Sequence, residues 1–250
     1  MKFEVKSETI NIDMASAAML WAAITKRFRS GTGFALATLN LDHLVKMSGS
    51  KQFLQAYAKH DLIIADGNPI VWLSRLAQKP VDLMPGSELI FPLSKLAEKE
   101  NIKIALVGST DTVLEKTAAA LLKEIPDLDV AICMAPPFGF DPVGAEATAI
   151  LKQLHTSDAR LCFLALGAPK QEIFAAYGRD ITPNVGFVSI GAGLDFIAGD
   201  QKRAPLWVRK LALEWLWRML SNPLRLAPRY IRCILILPGL VKAAVCLRYR

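Results

Sequence analysis

The sequence predicts an α/β fold, Rossmann-like, with a mostly parallel sheet, helices on both faces and a basic amphipathic C-terminal appendage. Three observations predict it. Short apolar runs alternate with longer segments of helical period. Most strand candidates end in glycine, proline or polar residues. The composition then changes sharply near Gln201–Pro205, where aromatic and basic residues take over.

Taken in order, Met14–Arg29 carries a helical period and Gly33–Ala37 reads as the first strand. Leu44–Lys59 reads as one long helix, Leu62–Ala65 as an apolar strand and Pro69–Leu76 as a helix begun by proline. Leu89–Glu100 is helical, Ile102–Val107 a strand, Thr112–Glu124 a helix and Val130–Met134 a strand. Gly144–Leu154, Leu161–Leu166, Gln171–Tyr177 and Val185–Ile190 complete the alternation as helix, strand, helix, strand. There is no internal repeat and no low-complexity segment. The expected division is an α/β body over residues 1–200 and an appendage over residues 201–250.

The appendage holds eleven of the 30 Lys and Arg but only one of the 23 acids, Glu214, a net charge of +10. The remaining nineteen bases and twenty-two acids leave −3 on the body. Three of the five tryptophans (Trp207, Trp215, Trp217) lie there, with an apolar run from Ile231 to Leu247 interrupted by Pro238-Gly239. Cations mixed with tryptophan and aliphatics suit an anionic membrane surface, where each Lys or Arg contributes about 1 kcal/mol. The run is short for a bilayer, carries Arg232 and Lys242, and has a helix breaker in its middle, so it is expected to lie on a membrane rather than cross it. The first residues have no apolar core of a secretory signal. A sequence pI near 9.3 also raises nucleic acid, but the charge is interleaved with Leu, Ile and Trp, which favours lipid. Cys133, Cys162, Cys233 and Cys246 show no paired spacing and read as reduced thiols. His43, His60 and His155 are isolated, so neither a metal centre nor a cofactor is expected.

In a parallel sheet ligands gather at the carboxyl ends of the strands. Those ends read Thr38-Leu39-Asn40, Asp66-Gly67-Asn68-Pro69, Gly108-Ser109-Thr110, Pro136-Pro137-Phe138-Gly139-Phe140, Gly167-Ala168-Pro169-Lys170-Gln171-Glu172 and Gly191-Ala192-Gly193-Leu194-Asp195. Glycine turns let backbone N–H groups approach an anion. Asn68 before Pro69 supplies the expected helix cap, which leaves Asp66 for a general base or for a second capping role. Thr38 and Asn40 face ligand or cap the next helix. Gln171 reaches substrate or sits at a surface helix start. Asp195 follows a glycine turn where a carboxylate takes ribose hydroxyls. The Asp127-Leu-Asp129 pair precedes its strand and so lies at the wrong sheet edge for a metal. Arg218, Arg225, Arg229 and Arg232 would form one stripe on a continuous helix, but Pro223 and Pro228 argue against continuity.

Together, T-L-N-L-D-H-L (38–44), A-D-G-N-P (65–69), P-G-S-E-L (85–89), V-G-S (107–109), G-A-P-K-Q-E (167–172), G-A-G-L-D-F-I-A-G (191–199), R-A-P-L-W (203–207) and E-W-L-W-R…N-P-L-R-L-A-P-R-Y (214–230) resemble the WecG/TagA/CpsF glycosyltransferases. The likeness spans roughly residues 8–232, with Leu39 where the family often has proline. It implies an inverting transferase moving a sugar, N-acetylmannosamine-type or another hexose, from a UDP donor to a polyprenyl-diphosphate-linked sugar. Such enzymes act peripherally at the cytoplasmic face of the bacterial inner membrane, building surface polysaccharide or cell-wall polymer. By motif position, Asp66 is the implied base, and Thr38, Asn40 and Gln171 line the sugar site. Asp195 and the Phe138 loop hold the uridine, near Gly108, Ser109 and Gly167, and Arg218, Arg225 and Arg229 reach the diphosphate. Homo-oligomerisation is left open. Two other readings stand beside it: another nucleotide-dependent Rossmann-like enzyme, and a non-catalytic membrane-surface adaptor. The first would need a glycine fingerprint after the first strand, and the second gives no use to the polar strand ends.

Overall fold

A computed structural model describes residues 1–201 and 204–249, without the side chains of Leu206, Lys210, Arg218 and Arg225. It opens with a hairpin absent from the expected elements, β1 (Lys2–Val5) paired antiparallel with β2 (Glu8–Asn11). Phe3, Val5 and Ile10 point inward from it and are buried. Helix α1 (Ala17–Ser30) is capped by Ser16, whose side chain accepts from the Met19 N–H, and is closed by Gly31 at φ 71°. Its Leu20, Ile24 and Phe28 recur every four residues and are buried.

The six expected strands are all present: β3 (Phe34–Leu39), β4 (Leu62–Ala65), β5 (Ile104–Gly108), β6 (Val130–Met134), β7 (Leu161–Ala165) and β8 (Gly186–Ser189). They form one parallel sheet in the order β4-β3-β8-β7-β5-β6. Period-two alternation sorts their side chains onto two faces. Leu36, Ile64, Leu106, Phe163 and Val188 pack in a core with α1, α5 (Ile90–Lys99) and α6 (Asp111–Glu124). On the opposite face, Ala35, Ala105, Cys162, Leu164 and Phe187 meet α7 (Ala145–Thr156) and α8 (Lys170–Ile181). Ala37, Leu39, Ile63 and Ala65 meet α2 (Leu41–Gly49), α3 (Lys51–Ala58), α4 (Asn68–Leu76) and the hairpin.

Three expectations are corrected. The single helix over Leu44–Lys59 is two helices, α2 and α3, broken at Ser50, which adopts φ −132°, ψ 112° and caps α3 by accepting from the Phe53 N–H. Ser48-Gly49-Ser50 propagates a helix poorly and caps one well. Asn68 is not the cap of α4. Gly67 is, at φ 107°, with no side-chain cap bond. Of the C-terminal prolines, Pro223 opens a new helix as expected, but Pro228 and Pro238 do not break it. After α9 (Gly193–Ile197), α10 (Leu206–Lys210) and α11 (Glu214–Ser221), helix α12 runs unbroken from Pro223 to Arg248 through Pro228 and Pro238. The interruption falls at Asn222, directly before Pro223. It puts Arg218 on α11 and Arg225, Arg229 and Arg232 on α12, so the arginine stripe is divided.

Helix α12 packs on α2 and α4, and Cys233, Ala244 and Leu247 are buried along it. This packing outweighs the one backbone hydrogen bond that each interior proline removes. Its other side exposes Leu224, Ile231, Ile234, Leu235, Val241 and Val245. The apolar run, expected to be short for a bilayer, lies within a longer helical stretch, Leu226–Arg248, that is long and apolar enough to cross a membrane by length and composition. Trp215 on α11 packs edge-on against Tyr230 of α12, ring centroids 5.7 Å apart.

Candidate active site

The carboxyl ends of β3 and β4 lie side by side, Leu39 opposite Ala65. The Asp66 N–H donates to the Leu39 carbonyl at 2.8 Å, so the chain leaves both strands together. Asp66 is half-buried. Asn40 stands against the next residue: a Cβ on Gly67 would lie 3.9 Å from the Asn40 Cβ. The Asn40 Oδ1 accepts from the His43 N–H at 3.1 Å, capping α2, so the capping role is present. Thr38 is buried beneath the 3-10 turn Gly86–Glu88, its methyl 3.2 Å from where a Gly86 Cβ would be. Glycine at position 86 relieves what would be tight contacts of 3.1–3.2 Å with Thr38, Ser189 and Ile190.

Gln171, expected at a surface helix start or reaching substrate, is 2% exposed. Its Oε1 accepts from the Gly191 N–H at 3.1 Å and its Nε2 donates to Glu172 Oε1 at 2.8 Å. It therefore ties the start of α8 to the β8 turn from below. Glu172 is wholly buried, and burial pushes its carboxyl up to about 7. Facing it at 3.8 Å is the His43 Nε2, with burial holding that imidazole down to about 3. The His43 Nδ1 is 3.3 Å from the Tyr57 hydroxyl, whose pKa burial raises, with Glu172 and Asp66 adding to the shift. Burial thus favours the neutral form of both the acid and the imidazole.

A second cluster forms at β5 and β8. Ser109 Oγ donates to Asp195 Oδ1 at 2.7 Å, and Gln201 Nε2 donates to Oδ2 at 3.3 Å. Gly108 has φ 119° and pairs with Ala165, whose backbone a Cβ there would collide with, so the close approach of β5 to β7 at this point relies on glycine. Beside this cluster lies an open concavity of about 400 Å³ bounded by Ser87, Glu88, Phe91, Gly193, Phe196 and Ile197. Gly167, two residues past the end of β7, has φ 71°. Phe138, in contrast, is fully exposed, while its neighbour Phe140 packs on Phe174.

In the tail, Arg229 reaches the body: its Nη2 is 3.0 Å from Asp42 Oδ2. The side chains of Arg218 and Arg225, and Arg203 of the 203–207 block, lie outside the described residues. Among the described residues no group of three or more His, Cys, Asp and Glu could hold a metal. The Asp127–Asp129 pair stands at the amino end of β6, as expected. Sequence reasoning did not single out Asp42, His43, Tyr57 or Glu172. Three of these lie inside motifs already noted, 38–44 and 167–172, but their burial has no local signature.

A doubly wound parallel sheet with a half-buried carboxylate, an amide and a serine–carboxylate pair along its carboxyl edge defines an α/β ligand-binding body of the Rossmann-like class. The chain matches the Glycosyl transferase WecG/TagA/CpsF family over residues 5–249 and belongs to it. The match takes in the whole of α12. The chain is also similar to the N-acetylglucosaminyldiphosphoundecaprenol N-acetyl-beta-D-mannosaminyltransferase of Bacillus subtilis (strain 168), 27% identical over 195 residues, covering 77% of this chain and 73% of that protein.

Proposed function

We propose that the protein transfers a sugar, N-acetylmannosamine or a related hexose, from a UDP donor to a polyprenyl-diphosphate-linked sugar, with inversion at the anomeric carbon. The observation that carries this reading is that Asp66 and Asn40 leave the adjacent ends of β4 and β3 at one rim of the sheet, with an apolar, basic helix docked on α2 through Arg229. The activity printed for the Bacillus relative supports the acceptor class.

In this reading Asp66 takes the proton of an acceptor hydroxyl as its oxygen attacks the anomeric carbon. The bond from that carbon to the UDP oxygen breaks on the opposite face, and a single displacement inverts the centre. Thr38, Asn40 and Gln171 form the floor of the sugar site, Gln171 by holding Gly191. Ser109, Asp195 and Gly108 receive the nucleoside, with Gly167 and the Phe138 loop bordering it. The UDP charge is met by loop N–H groups and arginine. Arg218, Arg225 and Arg229 face the acceptor diphosphate.

The exposed apolar side of α12, with Trp207, Trp215, Trp217 and Leu220, supports peripheral docking on an anionic membrane at its cytoplasmic face. Helix α12 packs on α2 and α4 through Cys233, Ala244 and Leu247, and this docking favours lying on the bilayer over crossing it. In this assignment residues 1–200 carry the chemistry and residues 201–250 the docking. A panel of UDP-sugars with a polyprenyl-diphosphate-sugar acceptor tests the reading. Product with inverted configuration is expected from one donor, and no transfer from any of them would defeat it.

A further inference from the structure

One charged joint lies inside the packing of α12 on the body. Asp42 sits in the first turn of α2, two residues past Asn40, and its side chain is only 9% exposed. Its Oδ2 is 2.8 Å from Lys46 Nζ, one turn along α2, and 3.0 Å from Arg229 Nη2 on α12. Lys46 Nζ also donates to the Ala168 carbonyl at 3.0 Å. A single carboxylate therefore ties together α2, α12 and the loop that follows β7.

A carboxylate removed from water stays ionised only beside counter-charge. Here one anion meets two cations, while neighbouring His43 is held neutral by its burial. The joint is left with a surplus positive charge at the sheet edge where Asn40 begins α2. An arginine held on one side by a carboxylate still presents donors from its fork to a second anion.

We propose that Asp42 is a positioning residue: it fixes the Arg229 guanidinium of α12 against the β3 and β4 ends, so that Arg229 meets the acceptor diphosphate. The inference rests on the reading of Arg229 given above. A carboxylate in a first helical turn also stabilises its own helix, and a role confined to that would not couple Asp42 to Arg229.

The test is a double-mutant cycle on the full chain, Asp42→Asn, Arg229→Gln and both, with kcat and the two KM values measured on a UDP-sugar and a polyprenyl-diphosphate-sugar. Asp42→Asn is expected to raise the acceptor KM about tenfold and to leave the donor KM within about twofold. In the Arg229→Gln background it should add less than about twofold. Full additivity, or donor and acceptor KM rising together, overturns the proposal. If Arg229→Gln raises the acceptor KM and Asp42→Asn does not, the proposal alone falls. If Arg229→Gln has no effect, the diphosphate reading falls and takes the proposal with it. Should Asp42→Asn not fold, Asp42→Glu keeps the charge, moves the guanidinium on a longer stem, and is judged by the same acceptor-selective rise.

Discussion

Glu172→Gln isolates the cost of a buried acid. The carboxyl is wholly buried, and desolvation raises it from 4.5 to about 7 in the folded chain. A raised folded value means that the native state keeps a proton the unfolded chain releases. Stability from this group is therefore fully present below pH 4.5 and is lost as pH rises through 7. At just over 1 kcal/mol per pH unit, the loss across that window is roughly 3 kcal/mol. Glutamine keeps the shape, still offers an oxygen to Gln171 Nε2, and cannot ionise. The variant should match the parent near pH 4.5 and exceed it by roughly 3 kcal/mol at pH 8. Burial lowers His43 to about 3 and His60 to about 4. Both therefore cost stability as pH falls below 6.5, and they do so equally in the two proteins. Burial is the leading cause of the His43 shift, so removing Glu172 leaves that shift in place. The assay is urea unfolding of both proteins at several pH values between 4.5 and 8, compared by difference. Parallel curves for parent and variant would refute the argument, because they would mean that Glu172 ionises normally in the fold.

Asp66→Asn should lower kcat by about 10²–10⁴-fold with UDP affinity nearly unchanged by calorimetry; retention of more than about a third of the activity would remove Asp66 from the role of base. If loop N–H groups and arginine meet the UDP charge, transfer should continue in excess EDTA; complete loss restored by Mg²⁺ or Mn²⁺ would contradict that account of the leaving group. Gly108→Ala should destabilise the fold by about 1–3 kcal/mol or more, from its φ of 119° and the contact with the Ala165 backbone; an unchanged melting temperature would contradict that geometry. Replacing Arg218, Arg225 and Arg229 together by lysine should preserve binding to anionic liposomes while sharply reducing turnover, because charge is kept and the planar fork is lost. Equal turnover of that variant and the parent would reduce the tail to an anchor.

The sheet was legible because its signals are local. Phe34–Leu39, Leu62–Ala65 and Leu161–Ala165 are apolar runs closed by polar or glycine turns, and each is followed by a segment of helical period. The place of Asp66, Asn40, Ser109 and Asp195 at the carboxyl edge follows from the same alternation, since a strand-to-helix turn in a parallel sheet can lie at no other edge. The hairpin Lys2–Asn11 escaped because four-residue strands acquire their stability only from α2, α3 and the end of α12 packed against them.

Distances across the fold belong to tertiary structure alone. Ser109 meets Asp195 across 86 residues of chain, and Asp42 meets Arg229 only after α12 folds back over α2. Gln171 and Glu172 carry polar side chains typical of an exposed helix start, yet the fold buries Gln171 against the turn that follows β8 and Glu172 beside His43 of α2. Pro228 and Pro238 signalled breaks in α12 that packing on α2 and α4 overrode, while Pro223 stands at the break itself. Local propensity amounts to a few kcal/mol and can be read residue by residue. Burial and the pairing of charges depend on which surfaces come together, and that is decided when the sheet order and helix packing are set.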